Sequence, residues 1–403
     1  MWTADFIRYF VARTISMFGD AMLTVAAALA IGQVYGATGV GLVLAAWMLP
    51  MLGFILFGGV FADRFGARPL MLGADLVRVV AQVVVAVAFF TGTPSMPLLI
   101  VCSAVSGAAA AMFQPGVNGL VPLVSNDPQR ANATIRTAVA FAEMLGPAAA
   151  GVLFAVFGAG PVYAVDAATF AISAICLATL RTGPVRRRAS SPIRDLIEGW
   201  HEFRARSWIW SVILVWVAYG IFLFGPLIPL GAVLVSEDLG ASAYAWMQSA
   251  LGAGTVCGGL AALRLRPQRP LAAGAVAMFG FVLLPLAIAT HVTLPWLLAA
   301  AWINGVVWAF WSIQWQTSVQ TLVPPAMLNR MTSYEVLGST GSVPIGQALA
   351  GPVAGVTGGE RVLGASVVVG VLGCAALLLI PAVRTLRRAP EPVPSGAPQP
   401  AER

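Results

Sequence analysis

The chain has no lysine: all 23 basic residues among its 403 positions are arginines. A P-loop needs a lysine on the nucleotide phosphates, so an ATP-driven step encoded in this chain is disfavoured. Charge of either sign is scarce. Charged residues make up 10% of the chain, against roughly a quarter in a soluble domain, and so few could not cover the surface of a water-soluble fold. Cysteine and histidine are sparse too. Cys102, Cys176, Cys257 and Cys374 fall inside apolar runs and read as small core residues rather than disulfides or metal ligands. His201 and His291 are far apart in sequence, which speaks against a His/Cys metal site and leaves no nucleophile beside a histidine base. No aspartate-rich pair able to hold a magnesium diphosphate lies within an apolar run, which disfavours a membrane prenyltransferase. An enzyme, a metal and a bound cofactor are therefore not expected.

What the chain does have is hydrocarbon. Hydrophobic residues are 59% of it and the mean hydropathy is +0.86. About 20 apolar residues cross a bilayer, and in lipid a long apolar run must be a helix, because its backbone can bond only to itself. Spans are expected near 8–32, 40–62, 69–91, 95–117, 134–157, 161–180, 208–234, 242–263, 270–290, 294–318, 332–356 and 362–384. A net charge of +7 could indicate nucleic acid. Here the arginines sit in short loops between apolar runs, so the positive-inside rule is the better account. One set of loops carries Arg64, Arg68, Arg130, the 181–206 cluster, Arg264, Arg266, Arg269, Arg330, Arg384, Arg387 and Arg388; the alternate set carries only Arg361. That asymmetry places an even number of spans in the cell (inner) membrane with both termini cytoplasmic. The expected partners are the lipid bilayer, protons and a small-molecule substrate, with no nucleic acid, and the expected state is a monomer.

The chain also repeats itself. Gly58-Gly59 followed by Arg68-Pro69-Leu70 returns as Gly258-Gly259 followed by Arg269-Pro270-Leu271. Leu120-Val121-Pro122 returns as Leu322-Val323-Pro324, and Gly146 to Gly151 as Gly346 to Gly351. Matches offset by 200 to 202 residues imply a duplicated six-helix unit, with a substrate site between the copies near midplane. The expected organisation is a six-helix bundle over 1–180, a cytoplasmic linker over 181–207, a second bundle over 208–389 and a disordered tail over 390–403. Within the linker, Ile193, Leu196, Ile197, Trp200 and Phe203 recur at helical spacing among charged residues, the pattern of a helix lying on the membrane face; a basic tether between the halves is an equally good reading.

Gly59-Val60-Phe61-Ala62-Asp63-Arg64-Phe65-Gly66-Ala67-Arg68 resembles the signature loop between the second and third spans of the major facilitator superfamily. Gly19-Asp20, Asp75 and Arg78, Gly146-Pro147 and Asp166 resemble the twelve-spanner drug:proton antiporters, the macrolide-efflux and siderophore-exporter branch in particular. The resemblance implies an all-α membrane protein of two pseudo-symmetric six-helix bundles. It also implies proton-coupled efflux of a small amphipathic molecule by rocker-switch alternation, with the proton gradient in place of a cofactor. Gly59, Asp63, Arg64, Gly66 and Arg68 would form a conformational latch, against the plainer reading of a topogenic charge cluster. Gly146, Pro147 and Gly151 would form the antiporter-like motif of the fifth span. Two alternatives stand beside this: uptake by symport, and a non-transporting sensor or assembly protein on the same scaffold.

A carboxylate at the bilayer centre costs about 2.5–3.5 kcal/mol on insertion scales, so each one calls for a reason. Asp20 and Glu143 lie mid-span with no basic partner three or four residues away. They are the proton-coupling candidates, since desolvation favours the protonated carboxyl; structural ion pairing is the alternative. Asp75 and Arg78 share one helix face and read as a buried charge pair, while Asp166 and Glu335 read as structural. Trp308, Trp311 and Trp315 crowd the tenth span with Asn304 and Gln314, and Gln114 lies in the fourth. These are the substrate-cavity candidates, with lipid-facing tryptophan as the competing account.

Overall fold

A computed structural model describes residues 2–125, 128–180, 206–265, 267–323 and 335–387. Among these residues every regular element is helical. Residues 181–205 and 388–403 lie outside the described residues, and with them most of the linker, for which a surface helix is expected from sequence, and the whole 390–403 tail, for which disorder is expected.

The first element, α1 (Ala4–Phe65), is a 62-residue helical run broken only at Gly36, with φ 61° and ψ −166°. A Cβ would be strained at that positive φ. The break is a reversal, as two arginines show. Arg8 donates to the Thr179 carbonyl at 3.3 Å, and Arg68 donates to the Leu177 carbonyl at 2.9 Å. Both ends of α1 therefore lie at the same face of the molecule. The chain continues through α2 (Ala67–Thr91), α3 (Met96–Val124), α4 (Pro128–Phe157) and α5 (Ala159–Ala178).

In the second half, α6 (Ser207–Tyr219) passes through a π-helical turn, Gly220–Phe224, into α7 (Gly225–Leu239). Then come α8 (Ala241–Arg264) and α9 (Pro270–Ala277), the latter joined by a 3₁₀ turn, Met278–Val282, to α10 (Leu283–Ala289). Next are α11 (Leu294–Leu322), a second π-helical turn at Val336–Thr340, α12 (Val343–Thr357), α13 (Gly359–Leu379) and the short α14 (Pro381–Arg384). Nine stretches of the described residues are long and apolar enough to cross a membrane. The first turns back at Gly36, and α8 and α12 pack beside these stretches, an arrangement consistent with twelve crossings. Single positive-φ glycines join neighbouring spans at Gly158 (φ 78°), Gly240 (φ 89°) and Gly358 (φ 92°), so these three loops are one residue long.

Helices of the first half pack on one another, α1 on α3 and α5 and α2 on α5, and in the second half α8 lies along α11. Three apolar cores result. One, around Phe6, Tyr9, Met71 and Phe113, belongs to the first half. Another, around Tyr219, Phe281, Trp311 and Cys374, belongs to the second. The third joins Met22, Leu29 and Tyr163 to Leu230, Tyr244 and Leu297 across the seam. Apolar side chains such as Val80, Val156 and Leu379 remain exposed, as expected where hydrocarbon is the solvent.

At the seam the halves touch through glycine. A Cβ on Gly41 would stand 2.0 Å from the Gln347 carbonyl oxygen, one on Gly351 2.3 Å from the Thr38 nitrogen, and one on Gly151 2.2 Å from Ala245 Cβ. Small residues let helix backbones meet and gain dispersion contact, the main attraction between helices in lipid. These contacts lie toward the arginine-poor loops.

Candidate functional site

Three cavities run through the bundle. The first, about 350 Å³, is in the N-terminal half. Helix α1 lines it with Arg13, Met17, Asp20 and Thr24, α2 with Arg78 and Gln82, and α3 with Cys102, Ser106 and Phe113. The second, about 390 Å³, lies at the seam between Ala21, Glu143 and Pro147 on one side and Met247, Gln248, Thr255, Asn304 and Trp308 on the other. The third, about 420 Å³, is in the C-terminal half among Trp216, Phe224, Trp308, Trp311, Trp315 and Glu335. The first two share Thr24 and Ile228, and the last two share Phe224, Trp308 and Val343. Each holds one carboxylate.

The ionic chemistry of the first cavity differs from the sequence expectation. Arg78 does not pair with Asp75. Its Nη2 donates to Asp20 Oδ1 at 2.6 Å, with the Arg78 side chain 5% and the Asp20 side chain 25% exposed. Asp75 instead accepts a 2.6 Å hydrogen bond from Ser173 Oγ. The two residues share a face of α2, but the face is wide. The long arginine reaches past Phe170, its guanidinium carbon 3.9 Å from the ring centroid, to the cavity wall on α1. The shorter aspartate stops at α5. Asp20, expected to lack a basic partner, thus has one from a different helix.

Asp166, set aside on sequence as structural, lies in the same cluster. It is completely buried, and among the described residues neither carboxylate oxygen has a hydrogen-bond partner. Gly19 makes room for it: a Cβ there would be 2.5 Å from Asp166 Oδ1 and 2.2 Å from Thr169 Oγ1. The legible signal was an acidic residue inside an apolar run; its proximity to Asp20 was not legible. Arg13 completes the group, its guanidinium 5.7 Å from the Phe113 ring centroid.

Glu143 faces the seam cavity, and among the described residues no ion pair includes it. The motif around it is a packing device. A Cβ on Gly146 would meet Ala21 Cβ at 2.7 Å, directly after Asp20, and Gly151 faces Ala245. Pro147 is buried and lines the cavity beside Glu143. From the other half Gly252 comes as close, its Cβ position 2.9 Å from Met144 Cα.

The tryptophans divide by face. Trp311 and Trp315 are buried in the third cavity and Trp308 bridges the second and third, while Asn304 lines the seam with its amide nitrogen unpartnered. Gln314 does not join them. It is rotated off that helical stripe and lies in a separate cleft of about 10 Å³ beside Pro270 and Arg387. The Gln114 side chain is outside the described residues.

Of the expected latch, the Gly59, Asp63 and Arg64 side chains are likewise outside the described residues. Gly66 turns the chain at φ 90°. Arg68 donates to the Leu177 carbonyl and to that of Ala178, placing its charge at the C-terminal end of α5, where a cation offsets the helix dipole. Those bonds tie the loop to its own half.

A helical bundle of two packed halves with a largely apolar cavity at their seam, bearing a carboxylate, is the architecture of a membrane carrier. Residues 9–340 match the Major Facilitator Superfamily profile, and the chain belongs to that family. It is similar to macrolide efflux protein A of Streptococcus pyogenes, 26% identical over 239 residues, which is 56% of this chain. The match spans only 57% of that relative. It is also similar to the multidrug efflux pump Tap of Mycobacterium bovis, 25% identical over 393 residues covering 93% of this chain and 92% of the pump. Its fold is like that of the nucleoside transporter NupG (TM-score 0.74, 15% identity, 92% of this chain and 99% of the other). A D-xylose-proton symporter is similar too (TM-score 0.71, 12% identity, 93% and 96%). At such identities the likeness concerns fold alone.

Proposed function

We propose that the chain is a secondary active transporter that moves a small amphipathic molecule out of the cell against inward protons. The arginine-rich face is cytoplasmic and carries both termini, and the two halves rock about the glycine seam. The observation that carries this reading is the Asp20–Arg78 pair at a cavity wall with the unpartnered Asp166 carboxyl beside it.

The pairing changes the mechanism expected from sequence. Asp20 is not a lone desolvated acid. A proton arriving at Asp20 from the cavity cancels its charge and releases Arg78. A buried guanidinium cannot stay unpaired cheaply, and Asp166 is the carboxyl within the cluster that has no other partner. Arg78 exchanges Asp20 for Asp166, dragging α2 against α1 and α5, and the exchange reverses when Asp20 releases its proton at the other face. Glu143, which has no ion partner among the described residues, carries the second titration at the seam, where the halves separate. Export, rather than uptake, is supported by the names of the relatives above. The apolar walls around these groups suit an amphipathic solute.

The test is flux in inverted vesicles with and without an imposed pH gradient. Asp20→Asn removes gradient-driven transport while the protein remains inserted, and Glu143→Gln reduces it. Undiminished gradient-driven flux in Asp20→Asn overturns the assignment.

A further inference from the structure

The two halves do not share the chemistry equally. In the N-terminal half Arg13, Asp20, Asp75, Arg78 and Asp166 lie inside the spans. In the C-terminal half the acidic residues Glu237, Asp238 and Glu360 cluster at the arginine-poor ends of α7 and α13, and Glu335 is the one described carboxylate inside the bundle. A carboxylate in a cavity walled by apolar side chains needs a partner. Its one described partner is neutral: Trp315 Nε1 donates to Glu335 Oε1. A carboxylate offers about four lone-pair positions, so most of its accepting capacity is unused. No described cation forms an ion pair with it.

What surrounds Glu335 is aromatic. The cavity of about 420 Å³ is walled by Trp216, Trp308, Trp311, Trp315 and Phe224. The rings contact one another as a continuous set: Trp216 lies 5.6 Å from Trp308 and 6.1 Å from Trp311, and Trp311 lies 6.3 Å from Trp315, centroid to centroid. The indole N–H of Trp216 is buried without a partner among the described residues. The backbone opens here as well. Both π-helical turns, Gly220–Phe224 and Val336–Thr340, border the cavity, and π-turns of this kind are frequent at functional sites.

Aromatic faces carry negative potential and attract cations held within about 6 Å, more strongly once water is excluded. An anion in the same box would meet a carboxylate and the ring faces together. A neutral ligand would leave the carboxylate unpaired. We infer that this cavity is a binding subsite for the cationic end of a hydrophobic amine or quaternary ammonium ion. Glu335 supplies the counter-charge and Trp216, Trp308, Trp311 and Trp315 the walls. The apolar remainder of the ligand extends past Trp308 and Phe224 into the seam cavity. Ligand charge is thus read in one half and proton charge handled in the other. This deepens the transport reading, and rests on it for the claim that the occupant is cargo.

Binding is measured at equilibrium, without any gradient, on the purified full chain in detergent. The probes are tetraphenylphosphonium and its near-isosteric anion, tetraphenylborate. The expected result is saturable binding of the cation and none of the anion. Glu335→Gln should weaken the cation by about tenfold to thirtyfold, Glu335→Asp should restore part of the loss, and Trp311→Phe should weaken it less than Glu335→Gln. Glu237→Gln, at the arginine-poor end of α7 and outside the cavity lining, should bind the cation as the parent does. The inference is overturned if the parent fails to bind the cation, if the anion binds equally well, or if Glu335→Gln binds like the parent. It is also overturned if Asp20→Asn is the variant that abolishes binding, since the cation site would then be in the N-terminal half. Failure of gradient-driven flux with cation binding intact would instead count against the transport reading alone.

Discussion

Replacing Asp20 with Asn removes one member of a buried pair while leaving the volume unchanged. Breaking such a pair from one side costs about 3–5 kcal/mol when the remaining charge has nowhere to go. Arg78 does have somewhere to go. Asp166 lies against Gly19 with two unused acceptor oxygens, and the Phe170 face already holds the guanidinium at 3.9 Å, an interaction of about 2 kcal/mol when desolvated. Asp20→Asn alone should therefore cost about 1–2 kcal/mol, and Asp166→Asn alone the same or less, since it removes no hydrogen bond. The double variant leaves Arg78 only Asp75, which is engaged by Ser173, and should approach the full range of about 3–5 kcal/mol. The two sites thus couple by about 1–3 kcal/mol, the range seen for residues in one network. The assay is reversible denaturation in mixed micelles, run as a double-mutant cycle. Strict additivity would show that Asp20 and Asp166 do not share Arg78, and the exchange mechanism would go with it.

Gly19→Ala should destabilise by about 1–3 kcal/mol, because the added carbon meets Thr169 Oγ1 at 2.2 Å and Asp166 Oδ1 at 2.5 Å; a melting curve matching the parent would refute the close packing. Gly41→Leu cannot seat against the Gln347 carbonyl, 2.0 Å from its Cβ position, and should hold the seam apart. Cys102, which lines the first cavity, should then label faster with an impermeant thiol reagent applied from the arginine-poor side, in a background lacking the other three cysteines. At that face His291 Nδ1 pairs with Asp238 Oδ2 at 2.5 Å, and Glu360 lies 3.9 Å from Nε2. The Asp238 hydrogen bond and charge, with a smaller push from Glu360, hold the imidazole pKa above its usual value. A raised folded pKa means this clasp is fully present below the unfolded value of about 6.5 and is lost as pH rises through the folded one. With His201 replaced, the single remaining histidine NMR signal should titrate above that reference, and Asp238→Asn should lower it; an unchanged midpoint would refute the pairing.

The architecture was legible in the chain because each span is a local fact. A bilayer-length apolar run must hydrogen-bond to itself, so Arg68–Thr91 or Leu294–Leu322 announces a helix whatever surrounds it. The recurrence of Gly58-Gly59 and Arg68-Pro69-Leu70 two hundred residues on announced the duplication equally locally. Carboxylates in apolar runs marked Asp20, Glu143, Asp166 and Glu335 as residues needing partners. Which partner each has was decided only by tertiary structure. Helical periodicity relates a residue to neighbours three and four positions away, and so pointed Arg78 at Asp75. The ion pair instead crosses from α2 to α1, and Asp166 reaches that pair only because Gly19 has no side chain. Gln314 left the tryptophan stripe for the same reason, since a face becomes an interior or an exterior only once other helices surround it. Composition and periodicity determine that a segment crosses the membrane; the close approaches permitted at Gly19, Gly41, Gly146 and Gly252 determine which buried charges meet.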